Sequence, residues 1–430
     1  MKAINKDILK LAIPSILANI TVPIVGMVDI AVAGHLDTQA AVMIGGIAIG
    51  TMLFDLLYWN FGFLRVGTGG LTAQAFGKGD RKECATIFAR AIGISLACAL
   101  ALIAIQWIFV KAAFLVVDCT PEVRALASQY FFIRIWAAPA TLSLMAFKGW
   151  FIGMQDSVSP MLTDLTVNGM NVLMSFVLAL GIKAVGYEGM GFPGIAAGTV
   201  AAQYSGLLVA VLLAVFKYRR NTFSTLSLSD LKGVFKGSET RRFFVMNTDL
   251  FVRSLCFIAI YIGFTVISAR YGDLLLAVSS IMMKLLMIFS YFTDGFAYAG
   301  EAMTGKYIGA KDAVMLRQTV KWTFVWSMGI ALIFIGIYHF AGVPLLRMMT
   351  SDVTVVEASR EYLPWLLLMP VIGCAAFTWD GIYIGATASK AIRNSMLWAV
   401  VGFTAVWFIG IACLNWLSPG IGLDSAAAGS

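Results

Sequence analysis

An aspartate, Asp29, stands inside the apolar stretch Val22-Pro23-Ile24-Val25-Gly26-Met27-Val28-Asp29. A charge among apolar side chains is costly unless it faces protein or water, so this position suggests a carboxyl that takes up and returns a proton or holds a small cation. Pro23 lacks an amide hydrogen and Gly26 lacks a side chain, so the helix is set to bend just before the carboxylate. The plainer role is a helix-end aspartate beside His35 and Asp37. Further on, Asp164, Asn168 and Asn171 follow at spacings of four and three and share one helix face. Thr199 and Gln203 lie one turn apart. Such amides and hydroxyls coordinate a small cation or hydrogen-bond a carboxyl. They serve equally as interhelical hydrogen bonds, worth about 0.6 kcal/mol each.

The second half of the chain carries its own charges in apolar surroundings. Asp249 and Arg253 are four apart and are expected to pair with each other. Asp294 and Glu301, seven apart, share a helix face, with Lys284 further back. Asp380 precedes a glycine motif where the first half has Lys148. A structural salt bridge is the expected role of Arg134. Met282, Met283 and Met287, among 21 methionines, suit an adaptable cavity wall or ordinary helix contacts. The six cysteines (Cys84, Cys98, Cys119, Cys256, Cys374 and Cys413) form no CxxC, and His35 and His339 are the only histidines. A zinc centre, a redox pair and a catalytic triad therefore have no visible residues, and no cofactor is expected.

The elements that position these groups follow from composition. The chain is 60% hydrophobic and 13% charged, against roughly 45–50% and 25% in soluble domains. Eleven stretches reach the roughly 20 mostly apolar residues that a bilayer-spanning helix needs: 8–33, 39–64, 85–110, 123–147, 160–183, 192–216, 241–267, 274–299, 318–341, 359–380 and 391–416. Transmembrane β-strands would alternate in polarity, which Ala91 to Val110 does not. An all-α integral membrane protein is expected. The formal charge of +8 reads as topology, not as nucleic-acid binding. Alternate loops carry 22 Lys and Arg on one side and six on the other, which places the N-terminus in the cytoplasm. The apolar start contains Pro14 and Pro23 and no cleavage site, so it reads as a retained first helix, not a signal peptide.

The chain repeats itself. Gly77-Lys78-Gly79-Asp80 recurs as Gly309-Ala310-Lys311-Asp312, Gly149 to Gly153 recurs as Gly381 to Gly385, and Tyr130 is matched by Tyr362, each at an offset of 232. Residues 1–216 form one lobe of six helices, 217–240 a cytoplasmic linker, and 241–425 a second lobe. An even number of spans per repeat makes the pseudo-two-fold axis parallel to the membrane normal. The same offset puts the partner of the sixth span at about 424–448, past the last residue, so the twelfth helix is expected to be truncated or replaced. Residues 426–430, Ala-Ala-Ala-Gly-Ser, read as an appended linker.

Several motifs carry a resemblance. Asn19 to Pro23 with Gly26, Val28 and Asp29, then Gly34-His35-Leu36-Asp37, is similar to the first helix of the multidrug and toxic compound extrusion (MATE) transporters of the DinF-like branch. Leu71 to Gly77, Asp294 to Ala299 with Glu301, and Asp380 to Thr387 with Arg393 to Met396 resemble the same family. The resemblance runs from about residue 7 to 416. It implies two six-helix lobes around a central cavity, working as an antiporter in the cell inner membrane that exports organic compounds against H⁺ or Na⁺. It implies no enzyme activity. Small-molecule organic substrates and membrane lipids are the expected partners, nucleic acid is not, and the expected state is a monomer. It matches Asp29 to the family's first-helix acid, and Asn171 and Thr199 to polar members of its ion site. Ser175 stands where the family often has a second acid, which favours proton over sodium coupling. Pro23 and Gly26 would bend the first helix as Asp29 changes charge. A lipid-linked precursor flippase of the wider superfamily is the alternative, although its cavity tends to be strongly cationic and the charges here are mixed. A membrane-embedded enzyme, the alternative of another class, would need a nucleophile or zinc motif that is not visible.

Overall fold

The computed structural model describes residues 2–34, 40–115, 117, 119–182, 186–227, 230, 233–235, 238–350 and 352–417. The expectations for His35, Asp37 and residues 418–430, where the twelfth helix and the tail would fall, lie outside them. The helices are α1 (Lys2–Ile20), α2 (Val22–Gly34), α3 (Ala40–Trp59), α4 (Phe63–Gly77), α5 (Arg81–Ala113), α6 (Pro121–Arg134), α7 (Ala138–Gly153), α8 (Val158–Leu180) and α9 (Phe192–Tyr218). They continue with α10 (Ser238–Arg270), α11 (Asp273–Gly309), α12 (Ala313–Met349), α13 (Val353–Gly385) and α14 (Ser389–Leu417). Three pairs, α1 with α2, α3 with α4, and α6 with α7, each form one broken crossing, so the described residues supply 11 membrane-length helical spans. Their outer faces are apolar and exposed, as at Phe216, Phe340 and Trp398, because acyl chains take the place of water there.

Two expectations need correction. Arg65 and Lys148, counted among the loop residues, lie inside α4 and α7, because the second and fourth spans continue to Gly77 and Gly153. Removing these two leaves 20 basic residues against six, and the bias keeps its sign. The helices also run past the apolar stretches into flanking polar turns, which terminal capping allows.

The repeat is visible in the backbone. Gly79 and Lys311, 232 apart, both adopt positive φ (76° and 57°), as do Gln155 and Thr387 (63° and 54°). Each follows the end of a helix and closes the same pair of bonds. Gly79 N donates to Phe76 O and Asp80 N to Ala75 O, while Lys311 N donates to Ile308 O and Asp312 N to Tyr307 O. This is the left-handed cap that satisfies the last carbonyls of a helix. Asp80 and Asp312 then cap the next helices by accepting from Glu83 N and Met315 N, again 232 apart. The motif that betrayed the repeat is thus a helix stop followed by a helix start.

Packing repeats the same way. A Cβ on Gly149 would meet the backbone of Arg65, and one on Gly381 would meet that of Ala297, the equivalent contact in the other half. The α4–α7 pair of the first half corresponds to the α11–α13 pair of the second. The halves touch through α1, whose Ile4, Ile8, Leu11 and Ala12 share a hydrophobic core with Phe296, Ala299, Ala302 and Met303 of α11, and through α4. Gly67 leaves room for Asn247, Gly69 for the Glu301 carboxyl and Gly70 for the Ile384 carbonyl, and Gly77 lies against the backbone of Lys306. Gln74 Nε2 donates to Gly385 O (3.1 Å) and to the Thr387 hydroxyl (3.2 Å), which also accepts from Arg242 (3.1 Å). Small residues let backbones approach where no hydrophobic force drives helices together.

Candidate ion site and interlobe charges

The first crossing breaks at Thr21, between α1 and α2. Pro23 cannot donate to the Asn19 carbonyl and its ring crowds that group, so the helical ladder fails one turn earlier. Thr21 closes the gap with a tighter turn: its amide (3.2 Å) and its hydroxyl (2.7 Å) both donate to Ala18 O. Asn168 of α8 donates to the Thr21 hydroxyl. Asn168, expected near the ion, therefore holds the break. Gly26 lies inside the unbroken α2 and meets nothing on its Cβ side, so the break falls before it and no close packing calls for a glycine there.

Two turns beyond the break, α2 delivers Asp29 into a buried polar cluster with α8 and α9. The Ser175 hydroxyl lies 3.0 Å from Asp29 Oδ1 and 3.5 Å from Asn171 Oδ1, and Asn171 Nδ2 donates to the Thr199 hydroxyl at 3.0 Å. All four side chains are more than 90% buried. Asn171 and Ser175 are four apart on α8, which makes one helix face supply both. Gln203 makes no hydrogen bond to the described residues and stays out of the cluster. Arg134, expected in a salt bridge, instead lies over the Phe54 ring and hydrogen-bonds Tyr130 Oη (3.2 Å), with Asp29 and Asp55 within reach of its charge. Asp55 is a group the sequence reading passed over. It sits in the apolar run of α3, between Arg134 and the exposed Lys284 of α11. An acid in such a run, in register with no basic neighbour of its own, was the available signal.

The remaining charges gather where the lobes meet, in pairings other than those expected. Asp249 does not pair with Arg253. It accepts from Arg393 (2.6 Å) and Ser389 (2.7 Å) of α14, while Arg253 reaches Asp380 of α13 (2.7 Å). One turn of separation permits an intrahelical bridge, but each side chain here finds its partner on a neighbouring helix. Asp164 likewise leaves the face of Asn171 and pairs with Lys148 of α7 (2.7 Å). Arg65 bridges the lobes to Glu301 at 3.1 Å, and its guanidinium lies 4.5 Å from the Tyr298 ring centroid. Glu301 is fully buried, and its second oxygen has no hydrogen-bond partner among the described residues. Asp294, one helix face with Glu301, stands among Arg65, Lys148, Arg253 and Asp380. Met282 is buried against the Phe289 and Phe334 side of the second lobe, in its hydrophobic core.

A chain of membrane-length helices in two related halves, with a buried carboxyl site in one and an ion pair between them, is a multi-pass membrane protein. The MatE family model matches residues 14–177 and 250–408. The chain belongs to the MatE family, whose members are transporters and not enzymes. It is 32% identical to DNA damage-inducible protein F of Escherichia coli (strain K12) over 415 residues, covering 96% of this chain and 86% of that protein. It is 23% identical to the "Probable multidrug resistance protein NorM" of Photorhabdus laumondii over 436 residues, with 97% and 90% covered. Among solved structures, a MOP superfamily transporter from Pyrococcus furiosus superposes with a TM-score of 0.78 at 17% identity, covering 98% of this chain and 91% of that one. The eukaryotic MATE transporter AtDTX14 does so with 0.78 at 15% identity, covering 99% and 91%.

Proposed function

We propose that this protein exports small organic compounds from the cytoplasm in exchange for protons, and that Asp29 binds the proton. The observation that carries the reading is the single hydroxyl hydrogen of Ser175 set between two acceptors, Asp29 Oδ1 and Asn171 Oδ1. When Asp29 is ionised, Ser175 donates to it. When Asp29 is protonated, it donates to Ser175 Oγ, and the hydroxyl turns to Asn171. The cluster is thus satisfied in both charge states, as a site that loads and unloads a proton requires. A sodium ion would need more oxygen ligands than this cluster offers, with one carboxylate in it, and would bind within range of the Arg134 charge.

The change of charge is felt at the break above Asn19, because α2 carries Asp29 while Asn168 of α8 holds Thr21. A proton that binds the two bends of the first crossing with different affinity shifts their populations, and the lobes then expose the central charges to one side or the other. The lobes meet at the end bearing the basic turns, which is cytoplasmic by the charge bias, so this conformation is closed inward. The inner membrane, a cytoplasmic N-terminus and a monomeric transporter complete the reading. Among the described residues Arg65, Lys148, Arg253 and Arg393 are each paired with a carboxylate, while Arg134 and Lys284 are not, so the intramembrane charges are mixed, an arrangement suited to organic compounds and not to a pyrophosphate-bearing lipid.

The test is substrate efflux from proteoliposomes under a proton gradient and, separately, a sodium gradient, for wild type, Asp29→Asn and Ser175→Ala. Proton-driven export should be lost in Asp29→Asn with organic-cation binding retained, and slowed in Ser175→Ala. Full export by Asp29→Asn, or export driven by sodium alone, defeats the reading.

A further inference from the structure

The first helix carries a second device at its cytoplasmic end. Lys6, Lys10, Ile13 and Pro14 recur at helical spacing, so α1 presents a stripe that is cationic at one end and apolar one to two turns deeper. Pro14 leaves the Lys10 carbonyl without its helical donor, and the Ser157 hydroxyl, at the turn before α8, donates to it instead (3.0 Å). This contact pins α1 to the start of α8 and leaves a cleft of about 640 Å³ beside it, walled by Ile13 and Pro14 on one side and Val158 on the other. Lys6 and Lys10 are exposed at its mouth, and neither has a carboxylate within 4 Å among the described residues. Asn5, whose carbonyl oxygen accepts from Trp326, lines the same mouth with its amide hydrogens unused. Lys217 borders the adjoining hollow but is already bound to Asp156.

We infer that this cleft holds one anionic phospholipid of the adjacent leaflet, with its phosphate on Lys6, Lys10 and the Asn5 amide and an acyl chain along Ile13, Pro14 and Val158. The polarity gradient of the cleft is that of such a lipid. Two ammonium groups without a carboxylate partner among the described residues sit at headgroup depth, and the apolar wall begins at Ile13, about 4–11 Å below them at the helical rise. A soluble anion would use the lysines and leave the wall empty, whereas a zwitterionic lipid would fill the wall and gain little from the lysines. The bound lipid would bridge α1 and α8, the two helices that hold the break at Thr21, and so stiffen the base on which the first crossing bends.

Native mass spectrometry of the full chain in detergent tests this, with dioleoylphosphatidylglycerol, dioleoylphosphatidylcholine or glycerol 3-phosphate added. Phosphatidylglycerol should bind with one tight equivalent that the other two do not reproduce. Each lysine at the surface is worth roughly fivefold, so Lys6→Gln with Lys10→Gln should weaken that equivalent about 30-fold. Val158→Phe, which fills the wall and keeps the charges, should weaken it as well. Lys78→Gln, the same charge change at an exposed turn, should leave it intact. If the double variant does not accumulate, Lys10→Gln and Val158→Phe alone decide the matter. Equal retention of phosphatidylcholine, saturation by glycerol 3-phosphate, or equal weakening by Lys78→Gln would each overturn the inference.

Discussion

Replacing Gly77 by alanine should open the cytoplasmic end of the lobes. The new methyl would stand 2.9 Å from the Cα and 2.7 Å from the carbonyl carbon of Lys306, in the other lobe. The nearest atom is the Lys306 carbonyl oxygen, which the methyl would overlap more deeply still, and ordinary contacts lie near 3.5–4.0 Å, so α4 and α11 must part by about 1.5 Å. Overpacking of this kind costs about 1–3 kcal/mol, and the cost vanishes once the lobes separate, so the ratio of separated to closed molecules should rise by roughly 5- to 150-fold. Gly149→Ala and Gly381→Ala supply the comparison. Their methyls meet backbone at similar distances, 2.9 and 3.1 Å from Arg65 atoms and 2.7 and 2.9 Å from Ala297 atoms, but each clash lies within one lobe. They should lower the melting temperature without moving the lobes. Spin labels at the repeat-related exposed positions Lys82 and Val314, with other cysteines replaced, report the spacing of the lobes. A Gly77→Ala protein with the wild-type distance distribution and a melting loss like that of Gly149→Ala would refute the argument.

Two further outcomes follow from the charges. Arg393→Gln leaves the buried Asp249 carboxylate with only Ser389, and because Arg393 is one-third exposed the loss should fall near the low end for buried pairs, about 2–4 kcal/mol; adding Asp249→Asn should recover most of it in denaturant melts. At the α7–α8 turn, burial works against the Asp156 carboxylate, but bonds from the Ser159 hydroxyl and amide and from Lys217 outweigh it and hold its pKa below the ordinary value. A depressed value means stability that is present above the unfolded pKa, about 3.9, and lost as pH falls through the folded one. Asp156→Asn should therefore cost on the order of 1–3 kcal/mol in melts near neutral pH and progressively less below about pH 4.

The Asp29 cluster was legible because its geometry is local. Asn171 and Ser175 share a helix face by spacing alone, Asp29 is conspicuous in an apolar segment, and the remaining distance is closed by α2 and α9 packing on α8. The central charges were not legible, because partner choice there is tertiary. Arg253 had Asp249 one turn away and Asp380 127 residues away, and it takes the distant one while α14 brings Arg393 to Asp249. Arg65 was hidden by the placing of a helix end: the second apolar stretch was ended at residue 64, whereas in the fold α4 runs on and Gly67, Gly69 and Gly70 are what let three helices of the other lobe reach it. Asp55 was lost in an apolar average, since one acid barely lowers the hydropathy of a 20-residue window.

The bond between Arg65 and Glu301 spans 236 residues of chain, and this distance is also an interval of time. At translation rates of about 5–20 residues per second, Arg65 waits roughly 10–50 seconds for its carboxylate to be synthesised. Once residue 216 is made, in the last part of that interval, the finished first lobe carries a guanidinium and a strip of bare glycine backbone facing the place its twin will occupy. Arrival of the second lobe supplies the counter-charge and covers the glycines in one event. Assembly of the two halves is thus itself an electrostatic docking, for which the first half must be kept from other partners until its own is made.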